Sequence, residues 1–167
     1  MTDIKKILVV LIVLGAMVSA GCLGSTTKSA DAYFSAGKTL FDKGNYSEAI
    51  KMFDSALAIN PNFKEALVYK GVSHDQLGQY SDALTAYEKA IALDPNDPLP
   101  WYNKGLVLGG QGYYEDAIIC FDKVISLDKT DAEAWYNKGV ALELLGRTAE
   151  AQACYNEARR LNPSVGQ

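Results

Sequence analysis

From Ala30 to Val165 the chain repeats itself every 34 residues without an insertion, and a period of that length restricts it to a solenoid of short stacked units. Four units follow one another, at 30–63, 64–97, 98–131 and 132–165. Glycine recurs at the eighth position (Gly37, Gly71, Gly105, Gly139) and at the fifteenth (Gly44, Gly78, Gly112, Gly146). Alanine holds the twentieth (Ala49, Ala83, Ala117, Ala151), and an aromatic ring the twenty-fourth (Phe53, Tyr87, Phe121, Tyr155). Proline stands at the thirty-second in three units (Pro61, Pro95, Pro163), where the third has Lys129.

The pattern has a physical reading. Bulky residues at the fourth and eleventh positions and glycine at the eighth share one helical face, as Trp135, Gly139 and Leu142 do. A glycine inside a helix costs roughly 0.5–1 kcal/mol relative to alanine, so its use at the eighth position predicts two helices in close approach. Glycine at the fifteenth ends this helix A in a left-handed conformation. Helix B starts near "YSEA", "YSDA" and "YEDA", where acids suit the positive end of the helix dipole, and Asn-Pro or Asp-Pro stops it. A single hairpin cannot cover its apolar face, so neighbours must stack. The twenty-first and twenty-eighth positions are Ile50 and Leu57, Leu84 and Ile91, and Ile118 and Ile125, but Gln152 and Arg159 in the last unit. This face is expected to meet the next unit, and to be polar in the fourth because the array stops there.

These residues resemble the tetratricopeptide repeat over 30–165. The resemblance implies an all-α fold, a right-handed superhelix of four helical hairpins, with helix A lining a concave groove. It also implies that the second, fifth, ninth, twelfth and thirteenth positions face a ligand. Carried onto this chain, the implied groove contains Phe34, Lys38 and Phe41, then Val68 and Val72, then Leu99, Tyr102 and Leu106, then Tyr136, Val140 and Leu144. Gly109 and Gly110 leave a shallow place between them. Asn103 and Asn137, at the sixth position, could hydrogen-bond an extended peptide. Charges on the implied wall are mostly acidic (Asp31, Asp42, Glu65, Asp75, Glu133, Glu143), and the basic clamp that relatives use for acidic tails is missing, with Leu99 and Glu133 where lysine is wanted. An apolar segment with basic flanks is the favoured ligand.

The first residues have a different character. Lys5 and Lys6 precede the apolar run Ile7 to Val18, followed by Ser19, Ala20 and Gly21, which is the layout of an export signal. The run is shorter than the roughly 20 residues of a membrane-spanning helix. "SAGC" at 19–22 resembles the lipobox of prokaryotic lipoproteins, with Ser19 where that family prefers Leu, Val or Ile. The resemblance implies residues 1–21 as a leader and a lipid on Cys22; an uncleaved apolar leader is the alternative anchor. Either reading exports the repeats and holds them at the extracytoplasmic face of a prokaryotic envelope, with 22–29 as a short polar linker.

Composition narrows the chemistry. With 16 Lys and Arg against 20 Asp and Glu, a net charge of −4 offers no footprint for nucleic acid. One histidine, His74, and no Cys/His cluster leave a zinc site or a Ser-His-Asp triad almost no raw material, and no cofactor is expected. His74 replaces leucine at the eleventh position and is expected to be packed and hydrogen-bonded. Cys120 and Cys154 occupy the same position of successive units; equivalent points on packed helices lie about 8–10 Å apart, beyond a relaxed disulfide. Two free, buried thiols are expected. The functional expectation is a non-catalytic protein-interaction scaffold, tethered to a membrane, in a setting such as envelope, secretion or pilus assembly. The alternatives are a self-associating structural lipoprotein, hence a homo-oligomer, and an accessory subunit of an envelope enzyme.

Overall fold

A left-handed glycine turns the chain back on itself inside every unit. Gly44, Gly78, Gly112 and Gly146 have φ of 76°, 72°, 85° and 75°, a region glycine enters with no Cβ penalty. The computed structural model describes residues 28–166. Its hairpins are α1 (Ala30–Asp42) with α2 (Tyr46–Ile59), α3 (Lys64–Gln76) with α4 (Tyr80–Leu93), α5 (Pro98–Gly110) with α6 (Tyr114–Leu127), and α7 (Ala132–Leu144) with α8 (Thr148–Leu161). No strand occurs among the described residues, and the chain is the all-α solenoid expected. The leader, Cys22 and most of the linker lie outside the described residues. Among those described, no helix is long and apolar enough to cross a membrane.

Helix B stops in extended backbone at Asn60, Asp94, Asp128 and Asn162. Proline follows three of these, but Asp128 adopts the same conformation with Lys129 after it. The shared device is the side chain. Asn60, Asp94, Asp128 and Asn162 each accept a hydrogen bond from the backbone N–H two residues on, at 3.2, 3.1, 2.8 and 3.1 Å. These Asx turns close the helix whether or not proline helps.

The eighth and twenty-fourth positions turn out to be one contact. A Cβ placed on Gly37, Gly71, Gly105 or Gly139 would stand 2.6, 2.5, 2.8 or 2.7 Å from a ring carbon of Phe53, Tyr87, Phe121 or Tyr155. Each aromatic ring therefore lies flush on the backbone of helix A, which fixes how closely the two helices approach.

Units are joined by packing and by charge. Leu57 packs against Leu67, Val68 and Ala90 of the next unit, and Ile125 is buried with Ala134 beside Trp135. On the surface Lys70 pairs with Asp54, Lys104 with Glu88 and Lys138 with Asp122, at 2.6, 2.8 and 2.6 Å. These are always the seventh position of one unit and the twenty-fifth of the unit before. Exposed pairs of this kind contribute about 0.2–1 kcal/mol each. The seventh position of the first unit is Ala36 and the twenty-fifth of the last is Asn156, so the pairs span the three internal seams.

Gln152 and Arg159, polar where the other units carry Ile or Leu, are exposed. Beyond α8 the chain folds back and buries Val165 against Ala132 and Ala158, next to Leu161.

Neighbouring A helices touch one another across the seams, whereas neighbouring B helices do not. The row α1, α3, α5, α7 therefore lies on the inside of the curve.

Candidate functional site

The concave wall is divided. Its first half is filled by its own aromatic rings. Phe34 lies 4.8 Å from Phe63 and 5.6 Å from Tyr69 between ring centroids, and Phe41 lies 5.4 Å from Tyr46 and 5.2 Å from Tyr69. Lys38 sets its ammonium 5.9 Å from the centre of the Tyr69 ring, within cation–π range. Val72 is half-buried against Ala83, Tyr87 and Val107. Val68 departs from the expectation of a groove residue: it is 5% exposed and belongs to the seam with Leu67 and Ala90. The fifth position is open only where the residue there is not drawn into the seam.

The second half is open and apolar. Leu99, Leu106 and Leu144 are 53%, 41% and 57% exposed, and two hollows lie between α5 and α7. One, of about 250 Å³, is walled by Leu106, Gly109, Gly110, Val140 and Leu144, with Phe121 at its base. It exists because Gly109 and Gly110 project no side chain where other units carry bulk. The other, of about 320 Å³, lies nearer the start of the two helices and is lined by Pro98, Leu99, Tyr102, Asp131 and Glu133.

Asn137 sits between the hollows. Its amide nitrogen donates to the Tyr102 hydroxyl at 3.0 Å and to the Glu133 carbonyl at 2.9 Å. With both N–H groups spent, its side-chain oxygen alone is left for a further partner. Asn103, the equivalent residue of α5, is half-buried. Tyr136 is not open to the groove in the way its position implies. It stacks on Tyr155 at 5.4 Å, and Gly166 lies so close to its ring that no side chain would fit there.

One of the wall's acids is bonded to a phenol, and a second lies close enough to one to act on it by charge. Glu143 accepts a 2.6 Å hydrogen bond from the Tyr155 hydroxyl. Burial and then this bond hold that phenol well above its usual range. Asp75 and Tyr87 occupy the same two positions in the second unit. Burial raises the Asp75 carboxyl, and burial together with the Asp75 charge raises the Tyr87 phenol. Where the twenty-fourth residue is phenylalanine, the twelfth is Phe41 or Gly109. The matched alternation, Phe, Asp, Gly, Glu against Phe, Tyr, Phe, Tyr, is present in the sequence and is the signal that links these acids to the phenols.

Among the described residues no group of three His, Cys, Asp or Glu side chains is placed to hold a metal. His74 is half-buried, with Nδ1 2.6 Å from the Gln79 side-chain oxygen. Cys120 and Cys154 are free and buried. Desolvation pushes the Cys120 thiol up to about 11 and moves Cys154 in the same direction, so neither is primed as a thiolate nucleophile.

Family models agree with the geometry. One described as tetratricopeptide repeat matches residues 30–63 and 132–165, and one described as TPR repeat matches 74–112 and 110–146. No curated protein matches the chain in sequence. Among solved structures, MamA from Desulfovibrio magneticus RS-1 is 26% identical, with a TM-score of 0.76 over 80% of this chain and 76% of that one. YrrB, described as a TPR protein with an unusual peptide-binding site, is 28% identical, with a TM-score of 0.74 over 81% and 70%. A further MamA structure, 23% identical, shares the fold with a TM-score of 0.78 over 89% and 84%.

Proposed function

Because the chain belongs to the tetratricopeptide-repeat family, whose members bind protein or peptide partners, we propose that it is a non-catalytic scaffold that holds an apolar peptide segment of a partner on its concave wall. The observation that carries this reading is the open furrow between α5 and α7. Leu99, Leu106 and Leu144 remain exposed there, while the first half of the wall is sealed by its own rings. Apolar side chains gathered beside shaped hollows are what a docking surface needs. The peptide-binding site named for YrrB, a structural neighbour, supports the same reading.

The scaffold works at a membrane in this proposal. Lys5, Lys6, the apolar run and "SAGC" support export followed by attachment through Cys22. A tethered groove would hold its partner close to the bilayer, as assembly of an envelope, secretion or pilus complex requires. Mass spectrometry of the membrane fraction is expected to find a diacylglyceryl adduct on Cys22; a soluble, unmodified secreted chain would remove the anchor from the proposal.

The groove is tested by Leu106→Arg. Arginine at this exposed site places a charge across the mouth of the glycine-lined hollow while the repeat fold, judged by circular dichroism, stays intact. Partners captured from envelope extract by the full chain should be lost by about tenfold or more with the variant, the scale of one central apolar anchor. Equal capture by both would mean that the concave wall is not the site.

A further inference from the structure

The furrow between α5 and α7 carries charge at one end only. The hollow near the start of these helices is bordered by Asp131 and Glu133 and by no cation. The hollow nearer their ends is bordered by no charged side chain at all. The cations of the two helices are Lys104 and Lys138, and both are taken up by Glu88 and Asp122 at the seams. Glu133 is exposed and is in no ion pair among the described residues. Asp131 uses one oxygen to cap α7, accepting from the Ala134 N–H at 2.8 Å. Both carboxylates act on Tyr102, whose phenol is held above its ordinary value by burial and then by Glu133 and Asp131. At the other end Glu143 is engaged by Tyr155.

We propose that the furrow binds an extended peptide in one polarity: a single cationic group at the Asp131 and Glu133 end, followed by two apolar side chains that fill the hollows in turn, with no charge required at the far end. The inference rests on the reading of this wall as a peptide site and replaces a segment flanked by cations on both sides with one that is cationic on one side. The spacing follows from the helix. Leu99 and Leu106 are seven residues apart on α5, about 10.5 Å along its axis, close to the roughly 9 Å that three residues of polyproline II chain cover at about 3.1 Å each, and that threefold chain sets side chains three apart on one face. The Asn137 side-chain oxygen lies between the hollows to accept one backbone N–H.

The experiment uses the full chain in detergent micelles and a fluorescent peptide, capped at both termini, with one lysine followed by two leucines three residues apart. Fluorescence polarisation is expected to give saturable binding. Glu133→Lys should weaken it about tenfold, since reversing a rim charge replaces attraction by repulsion. The same variant should bind the peptide with glutamate in place of lysine better than the unmodified protein does. Adding a second lysine beyond the far leucine should change affinity less than twofold. Glu133 is exposed, so the thermal midpoint serves as a check that Glu133→Lys leaves the fold alone. If Leu106→Arg abolishes binding but Glu133→Lys has no effect, or the second lysine gains as much as the first, the groove stands and its polarity is wrong. If neither variant matters, the groove itself is wrong. A concentration-dependent dimer that buries the furrow and that the peptide cannot displace would make a second copy the occupant and overturn the proposal.

Discussion

Phe121→Ala is expected to cost about 3–5 kcal/mol of unfolding free energy, the usual range for emptying a large aromatic site in a core. Phe121 is 2% exposed and rests on the Gly105 backbone, where even a methyl group would collide with it. It also meets Tyr102 edge-on at a centroid distance of 6.0 Å. The backbone beneath has no side chain to swing into the gap, so the site cannot collapse. Because a solenoid is held together by nearest-neighbour seams, a loss in the third unit should also separate the first two units from the fourth. Chemical denaturation followed by circular dichroism should show a lower midpoint and a broader transition. The ring forms the base of the glycine-lined hollow, so the variant deepens it, and larger apolar probes should gain on leucine. A loss below about 1 kcal/mol would contradict the packing described.

The opposite change is Gly71→Val. Its Cβ would stand 2.5 Å from a ring carbon of Tyr87, and Tyr87, 1% exposed, has nowhere to go. Overpacking of this kind costs about 1–3 kcal/mol, and valine's branched carbon adds crowding against the preceding turn. A fall of about 3 kcal/mol is expected by denaturant titration. The control is Gly110→Ala, where no atom lies within 4 Å of the added carbon. There the better helix propensity of alanine should raise stability by up to about 1 kcal/mol. Tyr87→Leu should relieve Gly71→Val in a double-mutant cycle, since the two positions form one contact. Equal effects at Gly71 and Gly110 would mean that the eighth-position glycine answers to something other than the ring.

The parts of this molecule that one hairpin determines were readable from the chain alone. Helices and turns follow from local periodicity and from glycine at the fifteenth position, and each is fixed within a dozen residues. The parts that need two units at once were not. Val68 occupies a groove position by counting, but Leu57 and Ala90 draw it into the seam. Asn137 has the right residue type for binding peptide backbone, yet its donors are spent on Tyr102, 35 residues away, and on the Glu133 carbonyl. Tyr136 is covered by Val165, the last residue of the fourth unit, and by Gly166 just beyond it, two positions whose contacts the repeat pattern does not specify. Between these cases lies the acid and phenol pairing, which is written in the sequence but only as a relation between two columns of the repeat. The Asx turns at Asn60, Asp94, Asp128 and Asn162 are similar: proline drew attention to the stop, and the residue before it supplies the bond.

The seams have a consequence for how such a chain can change length. Lys70, Lys104 and Lys138 each reach an acid 16 residues earlier, so every joint uses the same lock and key. Removing residues 64–97 as a block would bring Lys104 opposite Asp54, and the joint would close again; removing one residue fewer would misalign it. Growth and loss of such an array are therefore quantised. Duplication of the second or third unit, which carry both halves of the joint, is nearly silent, a frame-preserving indel that is not a whole number of units is not, and the groove can be lengthened or shortened by genetic recombination without redesigning what holds it together.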